Sequence, residues 1–138
     1  MQQILVIEDE PILGELCCLQ IQRTFGDLTA ERVGSLERAR KWLDQCATNV
    51  LRAAIVDRDI VFGHDGLELI EPIRQHPAFA SNGRIIVWSS HDDATSIAEA
   101  RTAGADGFLS KRRSSRVGID IKQMLERCDR GEPWVVIR

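Results

Sequence analysis

The sequence has no apolar run longer than four residues, and pieces such as Ile4-Leu5-Val6-Ile7 are its longest. A membrane span takes about 18 or more apolar residues in succession, so none is expected. No basic stretch leading into an apolar one opens the chain, which argues against a secretory signal and for a cytoplasmic location. Cationic surface is equally scarce. Eighteen Lys and Arg stand against 21 Asp and Glu, a net charge of −3, and the one run of three basic residues is Lys111-Arg112-Arg113. Direct nucleic-acid binding needs a dense positive face and is not expected. The four cysteines (Cys17, Cys18, Cys46, Cys128) form no CxxC, and the three histidines (His64, His76, His91) are scattered, so no metal-ligand set of nitrogen and sulfur arises. Three of the cysteines fall on helical apolar phases, where thiols behave as small core hydrophobes. What remains is 138 residues, 43% hydrophobic and 28% charged. At about 100 to 200 residues per domain, that is one globular domain.

The organising signal is alternation. Continuous apolar runs recur at Ile4-Leu5-Val6-Ile7, Ala53-Ala54-Ile55-Val56, Ile85-Ile86-Val87-Trp88 and Gly107-Phe108-Leu109, with a weaker, polar-interleaved run over 28–33 of the kind found at a sheet edge. Such runs mark a parallel sheet covered on both faces. Helical phases fill the gaps. After Pro11, suited to a helix's first position, Ile12, Leu16 and Leu19 recur at i, i+4, i+7. Ser35 caps a helix whose Leu36, Ala39, Leu43 and Cys46 share a face. Leu67, Ile70 and Ile73 mark a third, which Pro72 should kink or shorten. A fourth, Asp93 to Ala103, is alanine-rich with Ile97 as its main anchor, and Gly104 ends it. The last runs from about Ser115 to Cys128, with Val117, Ile121, Met124 and Cys128 in phase.

Five β-α units in alternation predict a doubly wound α/β sandwich over residues 1–130. Residues 131–138 are then a short tail, too small for an output domain. Its apolar Trp134-Val135-Val136-Ile137 is expected either to pack on the body or to mediate association.

In such sheets the functional site lies beyond the carboxyl ends of the strands. Glu8-Asp9-Glu10 follow the first strand, Asp57-Arg58-Asp59 the third, Ser89-Ser90 the fourth and Ser110-Lys111 the fifth. Taken singly, each has an ordinary explanation: first-turn acids before the helix at Pro11, a loop-capping aspartate, a helix-entry serine, a solvated lysine. Taken together, they bring carboxylates, a hydroxyl and an ammonium to one rim. Clustered carboxylates repel unless a cation lies between them. Oxygen ligands from a few carboxylates, completed by waters, are what Mg2+ prefers. A metal, a nucleophilic Asp, a Lys point charge and a hydroxyl compose a phosphoryl-transfer site.

On VIEDEP at 6–11, Asp57, IIVWSS at 85–90 and GADGFLSK at 104–111, the chain resembles a bacterial two-component response regulator receiver domain of the chemotaxis-regulator type, from about Gln3 to Cys128. The resemblance implies a flavodoxin-like fold, a five-stranded parallel sheet in the order 2-1-3-4-5. It implies that Asp57 accepts a phosphoryl group from a sensor histidine kinase or phosphotransfer protein. Glu8, Asp9 and Asp57 would hold Mg2+ with the main-chain carbonyl of Asp59. Lys111 would contact a phosphoryl oxygen, Ser89 would move to hydrogen-bond the phosphoryl group, and Phe108 would turn inward behind it. The face of helix 4, strand 5 and helix 5 would then change its affinity for a downstream protein. The chain would be a monomer or a phosphorylation-linked dimer, and a self-modifying signalling domain rather than an enzyme.

Three departures from the family pattern stand out: Arg112 in place of the proline after the lysine, a loop after Asp57 that lacks proline and is one residue longer before Gly63-His64-Asp65-Gly66, and Asp59 and His91 two residues past Asp57 and Ser89. The resemblance implies that the last two positions bear on how long the phosphoryl group survives. Two rival readings are a receiver-like module that binds partners without phosphorylation, and a haloacid-dehalogenase-like phosphatase using Asp57-Arg58-Asp59 as its D-x-D. In that second family the nucleophile strand comes first, whereas here Glu8-Asp9 precedes it.

Overall fold

The structure is a computed structural model describing residues 1–60 and 64–138. The apolar runs become strands β1 (Gln3–Ile7), β2 (Thr29–Val33), β3 (Leu51–Asp57), β4 (Phe79–Ser89) and β5 (Gly107–Ser110), and residues past the last helix add β6 (Val135–Ile137). All six pair in parallel, in the order β2-β1-β3-β4-β5-β6. Helices α1 (Pro11–Phe25) and α5 (Val117–Asp129) cover one face; α2 (Leu36–Gln45), α3 (Ile70–Gln75) and α4 (Ala94–Thr102) cover the other. Successive strand residues point to opposite faces. Leu5 and Ile7 therefore join the α2–α3–α4 core while Ile4 and Val6 join the α1–α5 core. Every residue of β3 is buried, as a central strand requires. Among the described residues no helix is long and apolar enough to cross a membrane.

The fold is the one expected, but the sheet has six strands rather than five. The difference lies in the segment expected to be a tail. Gly131, at φ 98, turns the chain back from α5, and the Val135 N–H bonds to the Asp106 carbonyl at 3.2 Å. Val135 is fully buried in the α1–α5 core. A strand of three residues is too short to show a period, which is why it reads as a tail in sequence.

Helix α1 corrects a second expectation. Its Ile12, Leu16 and Leu19 stripe faces outward, Ile12 being 79% exposed. The buried stripe is Gly14, Cys17, Cys18 and Ile21, at i, i+3, i+4, i+7. Both stripes are helically periodic, and the one that faces the sheet carries the smaller residues because α1 lies close to it: a Cβ on Gly14 would meet Arg32 Cδ at 2.2 Å. Burial also pushes the Cys17 and Cys18 thiols above their ordinary pKa, as core thiols behave. The third helix divides as Pro72 demands. Gly66–Leu69 is a 3-10 turn, and α3 starts at Ile70, so the proline falls in its first turn, where an N–H has no intrahelical partner. The fifth helix likewise begins late, after a 3-10 segment Lys111–Arg116.

Candidate functional site

The strand ends build a rim on one side of the sheet. Past β1, the three acids divide their work. Glu10 caps α1, its Oε2 accepting from the Leu13 N–H at 2.6 Å. Glu8 is instead drawn inward, only 1% exposed, with its carbonyl accepting from the Arg32 guanidinium at 2.9 Å. Asp57, the last residue of β3, is equally buried. Lys111 Nζ donates to Glu8 Oε1 at 2.6 Å and lies 3.0 Å from Asp57 Oδ1. The Asp59 N–H reaches the same Asp57 oxygen at 3.0 Å. Glu8, Asp9 and Asp57 each offer a carboxylate oxygen within 4.8 Å of the others.

These distances set the electrostatics. Burial, and then hydrogen bonding with Asp57, push the Glu8 carboxyl above its ordinary pKa against the pull of Lys111. For Lys111, burial works to lower the pKa, and hydrogen bonding to Glu8 and the charge of Asp57 outweigh it, so the ammonium is held above its ordinary value. One ammonium among three carboxylates leaves a negative, all-oxygen pocket, a donor set that fits a hard divalent cation.

The rest of the rim lies on two loops. Ser89 ends β4 fully buried, its Oγ accepting from the His91 N–H at 3.1 Å. The His91 ring turns across the rim and places Nδ1 2.9 Å from Asp59 Oδ2, joining the loop after β4 to the loop after β3. Phe108, on β5, is already fully buried, in register with Val87 on one side and Val136 on the other. Thus Glu8, Asp9, Asp57 and Lys111 converge directly, Asp59 touches the acceptor through its N–H, and Ser89 and Phe108 flank them from β4 and β5.

The Arg112 departure has a structural answer. An arginine has the backbone N–H that proline lacks, and it donates to Ser110 Oγ at 3.2 Å. Arg113 makes a two-pronged contact with buried Asp120 on α5, at 2.9 and 3.1 Å, and the Ser114 hydroxyl donates to the Lys111 carbonyl. Polar contacts therefore fix the loop that carries Lys111. Of the loop expected to be long after Asp57, Gly63 lies outside the described residues. Its flanks form a two-residue antiparallel pair, Asp59–Ile60 with His64–Asp65.

Several contributors carry no sequence signal. Arg58, next to the acceptor, bonds Glu99 of α4 at 2.6 Å and lies 3.7 Å from Asp65. Asp92 accepts from Ser110 Oγ at 2.9 Å and stands 3.5 Å from Arg112 Nε. Gly66 packs on the acceptor itself: a Cβ there would fall 2.0 Å from the Asp57 carbonyl oxygen. Gly66→Ala is expected to lower unfolding stability by about 1–3 kcal/mol, the usual cost of overpacking, because backbone must move. Urea unfolding measures this, and an unchanged midpoint would mean the loop yields freely.

Residues 4–126 match the family model described as "Response regulator receiver domain". Among solved structures, a putative response regulator from Chloroflexus aurantiacus J-10-fl is similar at 24% identity and TM-score 0.72, covering 91% of this chain and 98% of that one. The signal receiver domain of a DNA binding response regulator from Colwellia psychrerythraea 34H is similar at 20% identity and TM-score 0.73, covering 91% and 99%. A Burkholderia pseudomallei response regulator with a phosphorylated aspartic acid and a calcium ion is similar at 18% identity and TM-score 0.66, covering 96% and 76%. No curated protein sequence matches.

Proposed function

The chain belongs to the response regulator receiver domain family, and from that premise we propose that Asp57 accepts a phosphoryl group from a histidine kinase or phosphotransfer protein in the cytoplasm, with Mg2+ as cofactor. The observation that carries this reading is the buried Asp57 carboxylate, held by Lys111 and the Asp59 N–H and faced by Glu8 and Asp9. An isolated carboxylate is a poor nucleophile toward an anionic phosphoryl group, because like charges must approach. Lys111 offsets part of that repulsion at 3.0 Å. Glu8, Asp9 and Asp57, with the Asp59 main-chain carbonyl, are the residues that would hold Mg2+. When bound, the ion neutralises charge on the phosphoryl oxygens. The Burkholderia regulator, whose structure carries a phosphorylated aspartic acid and a calcium ion, supports the analogy.

An Asp57 carboxylate oxygen attacks phosphorus, the P–N bond to the donor imidazole breaks, and the imidazole leaves. The acyl phosphate presents new acceptor oxygens near Ser89 and Lys111. Ser89 Oγ accepts the His91 N–H, so a turn of the Ser89 hydroxyl towards them pulls on the loop leading to α4. Only Ala100 of α4 is buried, so little packing resists that shift. The chain modifies itself and turns over no separate substrate. The exposed stripe of Pro11, Ile12, Leu16 and Leu19 begins directly after the acids and is the surface that a donor reaching Asp57 would cover. The face of α4, β5 and α5 serves the downstream protein.

The Asp59–His91 bridge is expected to slow hydrolysis by closing one approach for water. A contact worth about 1 kcal/mol corresponds to about a fivefold change in rate. His91→Ala and Asp59→Asn should therefore each shorten the phosphoprotein's lifetime by about that factor, read as loss of the phosphoryl mass after the donor is removed. Decay at the wild-type rate in both variants would exclude the bridge from this role.

A further inference from the structure

The segment 132–138, with β6 at its centre, touches every part of the face assigned to the downstream protein. Val136 lies in register beside Phe108, and with Trp134 it packs on the core cluster that contains Phe108. The Trp134 ring lies under the Arg101 guanidinium of α4, 5.8 Å from its centroid. Arg138 Nη1 donates to the Asp92 carbonyl at 2.9 Å, in the loop between Ser89 and α4. The Asp92 carboxylate in turn holds Ser110 at the end of β5. The approach to β5 is close: a Cβ on Gly107 would lie 2.8 Å from the Val135 carbonyl oxygen. At the other end, Arg127 of α5 grips Glu132 with two contacts of 2.9 Å.

We infer that β6 is an internal gate on the α4–β5–α5 face: it occupies the edge of β5 in place of a partner, and its docking is coupled to the loop that carries Ser89. This rests on the receiver reading for the identity of the face. The edge of a sheet offers unpaired N–H and C=O groups and is where another chain would add. Here β6 takes that edge and covers Phe108. A partner can claim the edge only by displacing β6, which also breaks the Arg138–Asp92 contact. Coupling of this kind is reciprocal, so whatever moves the Ser89 loop shifts the docking of β6. A three-residue strand with one fully buried side chain is a low-cost element to open.

Hydrogen exchange on the full chain tests the gate through Val136→Asp and Arg138→Ala. Val136→Asp places a charge beside Phe108, and Arg138→Ala removes only the contact to Asp92. Exchange at 134–138 is expected to rise about tenfold in the first variant and about threefold in the second. Residues 89–93 should rise with it, while β1 and β3 stay at wild-type rates. A released strand with 89–93 unchanged in both variants overturns the coupling, as does a strand that stays protected in both. If Val136→Asp loosens the whole sheet, Arg138→Ala alone decides. In wild-type protein whose intact mass shows a phosphoryl group, protection at 134–138 should fall, and unchanged protection there also overturns the gate. A chain that gains no phosphoryl group and shows no response to Mg2+ removes the phosphorylation reading, and the two variants still decide the coupling.

Discussion

Asp57→Asn is expected to take up no phosphoryl group from acetyl phosphate and Mg2+, whereas the wild-type chain is expected to gain one by intact mass. The substitution keeps the shape of the side chain and removes the nucleophile. A neutral amide oxygen does not displace a leaving group at phosphorus, and loss of the attacking group in covalent catalysis costs the step itself. The expected difference is the full extent of labelling. Unfolding cannot account for it, because Asp57→Asn removes one of the carboxylates that crowd Glu8, so urea stability should hold or rise. A variant that still gains the group would move the acceptor to another acid on the rim, with Glu8, Asp9 and Asp59 the nearest candidates. Wild-type protein that gains nothing while Mg2+ still alters Trp88 fluorescence has a working pocket that small donors do not serve. Trp88 is a suitable reporter, being fully buried with Lys111 Nζ 5.1 Å from its ring centroid. No gain and no Mg2+ response would favour a module that binds partners without phosphorylation. Turnover of p-nitrophenyl phosphate that Asp59→Asn abolishes would favour the phosphatase.

The elements legible in the sequence are those whose signal is local. β1, β3 and the second half of β4 are covered on both faces, so their apolar runs are unbroken and their ends are sharp. That sharpness exposed Glu8 and Asp57, each at a run's carboxyl end, and the wholly buried β5 does the same for Lys111. The Ser35 cap was legible for the same reason, since its hydrogen bond to the Arg38 N–H spans three residues. What escaped depends on partners far along the chain. Arg58 meets Glu99 across 41 residues, Arg138 meets Asp92 across 46, and Arg32 meets Glu8 across 24. No spacing rule anticipates such pairs. On α1, two stripes carry the helical period, and only the clearance against Arg32 selects the one with Gly14.

Contacts mostly nearer in sequence explain how the chain dispenses with a proline after Lys111. A proline would fix φ at one residue. Here Ser110, Arg113 and Ser114 hold the segment through side chains, and Asp92 links it to the loop after β4. The lysine's position is therefore tied to the loop that bears Ser89. A rigid turn at Lys111 would leave the two independent; this chain joins them, and β6 joins them again through Arg138.

Replacing Lys111 with methionine is expected to lower stability at neutral pH in the presence of a chelator by about 2–4 kcal/mol, towards the low end of the cost of breaking a buried ion pair, since the lysine keeps some solvent contact. Methionine preserves the stem against Trp88 and removes the charge together with the hydrogen bond to Glu8. Glu8 and Asp57 then face each other without an ammonium, and one of them must hold a proton. The pH dependence follows from the raised Glu8 pKa. Folded protein keeps a proton that unfolded protein has released, so stability falls as pH rises above the ordinary carboxylate range. Losing Lys111 raises that pKa further, so the deficit of Lys111→Met should be smaller at pH 5 than at pH 8. Urea unfolding at both values reads it. Mg2+ should restore more stability to the variant than to wild type, because an added cation supplies the charge that Lys111 no longer does. Phosphoryl uptake should nevertheless fall by about a hundredfold or more, the usual cost of losing one electrostatic contact to a developing charge. Recovered stability without recovered uptake would separate the lysine's two roles: it holds the empty acid pocket together, and it receives the phosphoryl oxygen. A variant equally stable at pH 8 would show that Glu8 and Asp57 do not depend on the ammonium, and the electrostatic account of the pocket would fail.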